Sequence, residues 1–214
     1  MTRIKVCCIA SVGEARLAVA AGASALGLVS AMPSGPGVID EALIAEIAAQ
    51  VPPLVATFLL TSLQDADAIV AQHRRCGTST LQLVDHVPHD HLRRLRAALP
   101  ATKLVQVIHV RDESALAEAR AVAPFVDALL LDSGNQKLAV KELGGTGRTH
   151  DWRLSRRIRD AVEVPVLLAG GLHAGNAATA ITTVRPFALD VCTGVRANGA
   201  LTAERLAAFV SAAS

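Results

Sequence analysis

Residues 126–133 read Val-Asp-Ala-Leu-Leu-Leu-Asp-Ser, and this stretch decides the fold. Five of its first six residues are apolar and show no helical period, which predicts a strand buried on both faces. Strands of this kind belong to the parallel sheets of α/β proteins, whose ligands bind at the carboxyl ends of the strands. Asp132 comes at that end and is a candidate catalytic residue. The alternative is an aspartate that only caps the following turn.

Similar strand-like runs and helical patterns alternate along the whole chain at intervals of about 25 residues. This alternation predicts a (β/α)8 TIM barrel, with residues 1–214 in a single domain because no linker interrupts it. A doubly wound open sheet is the competing architecture, but no G-x-G-x-x-G turn follows the first strand at Ile9. The expected strands are residues 4–9, 25–29, 54–60, 80–84, 103–109, 126–131, 166–169 and 187–192. The expected helices are residues 14–21, 40–50, 63–75, 88–99, 113–123, 152–162, 176–183 and 203–212.

The composition argues against several classes of partner. Charge is nearly balanced, with 21 Lys and Arg against 19 Asp and Glu, and aromatic residues make up only 2% of the chain. Two arginine clusters, near residues 93–96 and 153–159, have helical spacing, so exposed helix faces explain them better than nucleic-acid binding. We expect no membrane span and no signal peptide. The four cysteines lack zinc-site spacing, so a reduced, cytoplasmic protein without a bound metal is expected.

Glycines after the last two strands indicate a phosphate site. Gly170 and Gly171 end the seventh strand, and Gly194 follows the eighth. In TIM barrels these two loops commonly bind phosphate, because their N–H groups approach the anion closely. The alternative is that the glycines only form tight turns.

Cys7 lies in the first strand, where a buried apolar role is the default for a cysteine. It becomes a candidate base if its thiolate is favoured and an acid lies across the barrel mouth. Asp132 can be that acid only in a closed barrel.

Five motifs occur in the order seen in the phosphoribosylanthranilate isomerase family, which the chain resembles over nearly its whole length. They are Lys5-Val6-Cys7, Leu129-Leu130-Leu131-Asp132-Ser133, Gly144-Gly145-Thr146-Gly147 with Asp151-Trp152, Leu168-Ala169-Gly170-Gly171-Leu172 with Asn176, and Asp190-Val191-Cys192-Thr193-Gly194-Val195. The resemblance implies a (β/α)8 barrel that catalyses an Amadori rearrangement in tryptophan biosynthesis, without a cofactor.

The resemblance also implies roles for individual residues. Cys7 matches the family's general base, and Asp132 matches its general acid. Gln82 matches a glutamine beside the substrate. The residues matching the substrate phosphate site are Gly145, Thr146, Gly170, Gly171, Thr193 and Gly194.

Several positions depart from the family pattern. Cys8 replaces a glycine, and the loop at residues 34–37 lacks the arginine expected to meet the anthranilate carboxylate. Gln82 is followed by Leu-Val-Asp where the family has Leu-His-Gly, and Arg196 replaces a glutamate. Arg111, after the fifth strand beside His109, is a plausible replacement clamp for the carboxylate, with Arg196 as the other candidate. A surface or loop-capping role is the default for both His109 and Arg111.

Three hypotheses remain. The first is a phosphoribosylanthranilate isomerase-like enzyme that acts on a small phosphorylated aminosugar, N-(5'-phosphoribosyl)anthranilate, as a monomer or homodimer. The second keeps the isomerase chemistry with a different phosphorylated aminosugar. The third is a phosphate-ligand-binding barrel without catalysis.

Overall fold

The computed structural model describes residues 2–33, 35–134 and 149–214. Eight parallel strands form its barrel and eight main helices alternate with them. The strands are β1 (Arg3–Val6), β2 (Ala25–Val29), β3 (Ala56–Thr61), β4 (Thr80–Leu83), β5 (Lys103–His109), β6 (Ala128–Asp132), β7 (Val166–Leu168) and β8 (Ala188–Val191), and a short hairpin follows with β9 (Arg196–Ala197) and β10 (Ala200–Leu201). The helices are α1 (Val12–Ala20), α2 (Glu41–Gln50), α3 (Ala66–Cys76), α4 (His89–Ala98), α5 (Ser114–Val122), α6 (Trp152–Asp160), α7 (Ala177–Val184) and α8 (Ala203–Ala212).

The barrel is closed, because β8 pairs with β1 after each strand has paired with the next. This closure confirms the predicted (β/α)8 architecture and excludes the open sheet. Closure brings Lys5 opposite Asp190, and the pairing of β5 with β6 brings His109 opposite Asp132.

Side-chain caps begin many of the helices. A side-chain oxygen accepts a hydrogen bond from the first turn at Ser11, Asp40, Asp65, Asp151 and Thr202. Each cap satisfies a backbone N–H that would otherwise lack an intrahelical partner. One of these caps, Asp40, is the first residue of the helix predicted over residues 40–50.

Some predicted boundaries were wrong. β1 ends at Val6 rather than near Ile9, because Cys8 has a left-handed backbone with φ of 61°. β3 begins at Ala56 rather than at Leu54, and Leu54 lies in the preceding turn with 96% of its surface exposed. Asp132 is the last residue of β6 rather than the residue after it.

Two apolar cores are separated by the barrel wall. The larger one lies between the strands and the surrounding helices, and the smaller one fills the barrel interior with side chains such as Cys7, Phe58, Val107 and Leu130. Polar side chains among the inward-facing residues are costly to bury unless they are paired or functional. The interior polar groups therefore mark the candidate site.

The arginine clusters lie on α4 and α6 as expected. Arg94 pairs with Asp67 at 2.6 Å, and Arg157 pairs with Glu113 at 2.6 Å. Both clusters thus belong to helix faces with acidic neighbours. Within the described ranges, no helix is both long enough and apolar enough to cross a bilayer.

Candidate active site

β1 brings Cys7 to the upper end of the barrel, where the strands have their carboxyl ends. The Cys7 N–H donates to the carbonyl oxygen of Val191 at 2.8 Å, so pairing with β8 continues past the last strand residue. The side chain belongs to the interior core. A Cβ built on Gly27 would lie 2.7 Å from Cys7 Sγ, so glycine at this position of β2 leaves room for the thiol.

A buried ion pair lies beside this thiol. Lys5 Nζ contacts both carboxylate oxygens of Asp190 at 2.9 Å. A Cβ on Gly27 would also lie 2.9 Å from Lys5 Nζ, which makes the ammonium a neighbour of Cys7. Burial lowers the pKa of Lys5, but Asp190 and the Cys7 sulfur more than compensate, and the net shift is upward. A fixed positive charge therefore stands next to Cys7.

These surroundings favour the Cys7 thiolate. A hydrogen bond from the Cys8 thiol is the largest cause of the lowered pKa of Cys7, and the Lys5 ammonium lowers it further. Burial and the Asp190 carboxylate act in the opposite direction without reversing the shift. A lowered pKa is the property that a cysteine base requires at neutral pH.

Cys8, which stands where the family pattern has a glycine, adopts a backbone conformation that favours glycine. Its φ of 61° lies in the left-handed region, which costs a non-glycine residue about 1–2 kcal/mol. Its Sγ lies 2.7 Å from Cys192 Sγ. A Cβ built on Gly37 would lie 2.5 Å from the Cβ of Cys8, so a side chain at position 37 would collide with this residue. The presence of Cys8 therefore requires a residue without a side chain at position 37.

Asp132 lies at the upper end of β6, with only 7% of its surface exposed. Its Oδ1 accepts the N–H of Ser133 at 2.7 Å, and a Cβ on Gly170 would lie 3.1 Å from the same oxygen. Burial is the largest cause of the raised pKa of Asp132, and the Ser133 N–H opposes it. The carboxyl group is therefore biased towards its protonated form, as a general acid must be.

His109 is the strand neighbour of Asp132 and also faces the interior end of the barrel. Its Nε2 lies 3.0 Å from the carbonyl oxygen of Val84, so we assign the ring proton to Nε2. Its Nδ1 is buried and finds no hydrogen-bond partner in the described part of the chain. The contact with Val84 fits the loop-capping default, while Nδ1 is an acceptor beside Asp132.

Gln82 and Arg111 occupy different depths. Gln82 lies on β4 and is 4% exposed, and its buried Oε1 contacts no donor in the described ranges. Arg111 is exposed after β5, where it borders a cleft formed with Ser133, Gly134 and His150. Gln82 thus presents a polar group to the barrel interior, whereas Arg111 borders the cleft at the mouth of the barrel.

The glycine loops after β7 and β8 meet one another. Gly170 and Gly171 both have left-handed backbones, with φ of 83° and 62°. A Cβ on Gly194 would lie 2.0 Å from the carbonyl oxygen of Leu172, which excludes any side chain there. Asn176 Nδ2 donates to the carbonyl oxygen of Gly171 at 2.9 Å and holds the first loop. Thr193 begins the short 3₁₀ turn that contains Gly194.

Two of the expected phosphate residues, Gly145 and Thr146, lie outside the described residues. Thr149, the first described residue after them, lines the same cleft as Arg111. Asp151 caps α6, and Trp152 is its first residue. Burial lowers the pKa of His150 to about 4, so this imidazole is neutral near pH 7.

Arg196 cannot act as the carboxylate clamp, which corrects one of the two expected candidates. It is 8% exposed and forms a salt bridge with Glu14 at 2.9 Å. The same guanidinium donates to the carbonyl oxygens of Cys7 and Cys8. Both terminal nitrogens of Arg196 are therefore committed to Glu14 and to the chain around Cys7.

Sequence reasoning missed two contacts at this site. It assigned no role to the Lys5–Asp190 pair and did not bring Cys8 together with Cys192. A charged residue within the apolar run of the first strand was a usable signal for Lys5, since such a residue needs a buried partner. The contact between Cys8 and Cys192 depends on closure of β8 against β1, and no local pattern reveals it.

Comparisons with known proteins agree on one family. The family model for N-(5'-phosphoribosyl)anthranilate (PRA) isomerase matches residues 4–212. The N-(5'-phosphoribosyl)anthranilate isomerase of Haloferax volcanii is 39% identical over 215 residues, which cover 100% of this chain and 93% of the relative.

Solved structures give the same result. A phosphoribosyl anthranilate isomerase in complex with reduced 1-(o-carboxyphenylamino)-1-deoxyribulose 5-phosphate has a TM-score of 0.83 at 26% identity, covering 100% of this chain and 98% of the other. Monomers generated from the dimeric isomerase of Thermotoga maritima also have a TM-score of 0.83, at 25% identity and with the same coverage.

Proposed function

This chain belongs to the N-(5'-phosphoribosyl)anthranilate isomerase family, and from that premise we propose that Cys7 and Asp132 are the base and acid of its reaction. The protein is an isomerase of tryptophan biosynthesis. It converts N-(5'-phosphoribosyl)anthranilate to the corresponding carboxyphenylamino-deoxyribulose phosphate. The observation that carries the assignment of roles is that both buried groups lie at the carboxyl ends of strands in one closed barrel, with the Lys5 ammonium beside Cys7. The opposite pKa shifts, downward at Cys7 and upward at Asp132, agree with it.

The reaction needs one proton delivered and one removed. Asp132 donates its proton to the furanose ring oxygen, the bond from that oxygen to the anomeric carbon breaks, and a protonated imine forms. The Cys7 thiolate then removes the proton from the neighbouring sugar carbon, which gives an enolamine. The enolamine becomes the ketoamine product by moving a proton from the enol oxygen to carbon.

The positions of the two groups in the barrel support this order of steps. Cys7 follows β1 and Asp132 ends β6, so β7 and β8 separate them around the closed wall. Both lie at the upper end, and both are at least nine-tenths buried. A sugar held across the mouth can therefore have its ring oxygen near the acid and its second carbon near the base. His109 Nδ1 and Gln82 Oε1 are hydrogen-bond acceptors for the sugar hydroxyl groups.

The substrate phosphate is proposed to bind at the loops after β7 and β8. Gly170 and Gly171 have backbone conformations that turn successive N–H groups to one side, a geometry suited to an anion. Thr193 and Gly194 lie on the adjoining loop, and the family resemblance adds Gly145 and Thr146. The structurally related isomerase with a bound phosphorylated product analogue supports a phosphate site in this fold.

The anthranilate carboxylate is proposed to meet Arg111. This exposed side chain borders the cleft at the mouth, and its planar fork suits a carboxylate. The family membership favours phosphoribosylanthranilate over another aminosugar, although the usual arginine is missing from the loop at residues 34–37. We further propose a cytoplasmic enzyme that is a monomer or a homodimer, which size-exclusion chromatography with light scattering will distinguish.

The proposed roles are tested by the variants Cys7→Ser and Asp132→Asn. Each is expected to lower kcat by about 10²–10⁴-fold, the usual contribution of a general acid or base. Turnover of phosphoribosylanthranilate is followed with purified protein, and circular dichroism checks that each variant is folded. Complementation of a tryptophan auxotroph lacking the isomerase gives an independent readout.

Cys76→Ser is the matched control, because Cys76 is the last residue of α3 and lies away from the mouth. It should retain wild-type kcat. A folded Cys7→Ser protein with wild-type kcat would exclude the thiol as the base. Wild-type protein without turnover would instead favour the phosphate-binding barrel.

A further inference from the structure

Two thiols meet beside the proposed base. Cys8 Sγ and Cys192 Sγ are 2.7 Å apart, although 184 positions separate them in sequence. Neither cysteine is in a disulfide in this structure. Cys8 is 5% exposed, whereas Cys192 is partly exposed and accessible to a small reagent.

The backbone holds these thiols in place. The guanidinium of Arg196 donates to the carbonyl oxygen of Cys8, and Gly37 packs against the Cβ of Cys8. Cys192 directly follows β8, which is paired with β1. A disulfide has an S–S distance of about 2.05 Å, so the sulfur atoms need to approach by only about 0.7 Å.

We propose that Cys8 and Cys192 are a thiol modification site, which a small-molecule disulfide oxidises reversibly to a Cys8–Cys192 disulfide that suppresses turnover. The chemical site is independent of the role of Cys7. The effect on turnover rests on the proposed function of Cys7 as the base.

The oxidation proceeds by two thiol–disulfide exchanges. The Cys192 thiolate attacks one sulfur of the oxidant, the S–S bond of the oxidant breaks, and one thiolate leaves. Cys8 then loses its proton to solvent and attacks Cys192 Sγ, which releases the second thiolate. The two cysteines lose two protons and two electrons in total, and the oxidant becomes two thiols.

The disulfide changes the residue next to the proposed base. Cys8 directly follows Cys7, the guanidinium of Arg196 donates to the carbonyl oxygens of both, and the Cys8 S–H is the largest cause of the lowered pKa of Cys7. A disulfide has no S–H, so the Cys7 thiolate loses this partner. Losing one hydrogen bond to a charged group weakens an interaction about ten- to a hundredfold, and we expect a fall in kcat/KM of that size.

The experiment treats the reduced full-length protein with glutathione disulfide and then measures thiols and turnover separately. Of the four cysteine thiols in the wild-type chain, two should disappear from titration under denaturing conditions. Peptide mapping should find Cys8 joined to Cys192, and dithiothreitol should restore both thiols and turnover. Cys192→Ser is the matched control, which should keep its three thiols and its turnover during the same treatment.

Three results would each contradict a different part of the proposal. Loss of turnover in Cys192→Ser at the wild-type rate would overturn the proposal and indicate oxidation of Cys7. Absence of the Cys8–Cys192 peptide from oxidised wild-type protein would overturn the site itself. A complete disulfide with unchanged turnover would leave the site but overturn its effect on catalysis, and Cys192→Ala repeats the comparison if the serine variant does not fold.

Discussion

The lowered pKa of Cys7 and the raised pKa of Asp132 predict a bell-shaped pH dependence of kcat/KM. The base works when deprotonated, so the rate should fall as the pH drops through the lowered pKa of Cys7. The acid works when protonated, so the rate should fall as the pH rises through the raised pKa of Asp132. Cys8→Gly removes the thiol donor and should move the acidic limb to higher pH.

Initial rates across the pH range, measured for wild type and Cys8→Gly, provide the test. Cys76→Ala is the control whose acidic limb should stay in place. An unmoved acidic limb in Cys8→Gly would show that the Cys8 thiol does not tune the base.

Arg111 is the second residue with a measurable role. Arg111→Ala should raise KM for phosphoribosylanthranilate by about tenfold or more with little change in kcat, because a carboxylate contact formed equally in the ground and transition states affects binding alone. Arg120→Ala removes an exposed arginine from α5 and is the control. Equal KM values for the two variants would place the anthranilate carboxylate elsewhere.

At the scale of single residues, sequence reasoning found the residue types but not their surroundings. Cys7 and Asp132 were identified with the help of a family resemblance, since alone each has an ordinary structural explanation. The salt bridge and hydrogen bonds of Arg196 could not be predicted, because Glu14 and the carbonyl oxygen of Cys7 approach it only after the barrel closes. The same holds for the contact between Cys8 and Gly37.

Among the helices, α7 ends with an uncommon cap that yields a stability prediction. Arg185 is its C-cap, with φ of 52° and ψ of 54°, and its side chain is exposed. The corresponding position at the end of α3 is Gly77, which adopts a similar backbone at little steric cost. Arg185→Gly should therefore raise the free energy of unfolding by about 1 kcal/mol and Tm by about 2–4 °C.

Thermal unfolding followed by circular dichroism measures this change. Arg185→Ala removes the same charge but keeps a Cβ in the left-handed conformation, so it should not be stabilised. If the alanine and glycine variants gain equally, the effect comes from charge and not from backbone strain.

The strands and helices were largely predictable because apolar runs and helical spacing recur along the chain. The residues at which they begin and end were harder to predict. The first strand looks continuous to Ile9 by composition, yet the left-handed backbone of Cys8 ends it early. Leu54 looks like a strand residue but is exposed in the preceding turn, because burial depends on what packs against a residue and not on its own hydropathy.

For the whole molecule, phosphate binding should appear as added stability. A ligand that binds only the folded state adds about 2.7 kcal/mol at 100 times its Kd. Inorganic phosphate should thus raise Tm in a concentration-dependent manner, with chloride at equal ionic strength as the control. Gly171→Ala should weaken the effect, since φ of 62° disfavours a side chain there; an identical phosphate response in a folded Gly171→Ala protein would argue against this loop.

The closed barrel was predicted from the alternation of eight strands with helices and from the missing G-x-G-x-x-G turn. The contacts between residues from opposite ends of the chain were not, because no local pattern specifies them. Pairing of β8 with β1 joins the two ends of the chain, and it is this pairing that assembles Lys5 with Asp190 and Cys8 with Cys192. These two contacts at the mouth therefore depend on the strand order of the closed barrel and not on any local sequence pattern.

The shortage of aromatic residues also has an optical consequence. Trp152 is the one tryptophan in the sequence, and there is no tyrosine, so a single indole at the start of α6 dominates the intrinsic fluorescence. This indole lies beside His150 and Asp151, close to the cleft at the mouth. Its emission reports the state of the mouth, while the far-ultraviolet signal reports the helices of the entire barrel. Unfolding curves that separate between these two signals will reveal a mouth that loosens before the barrel melts.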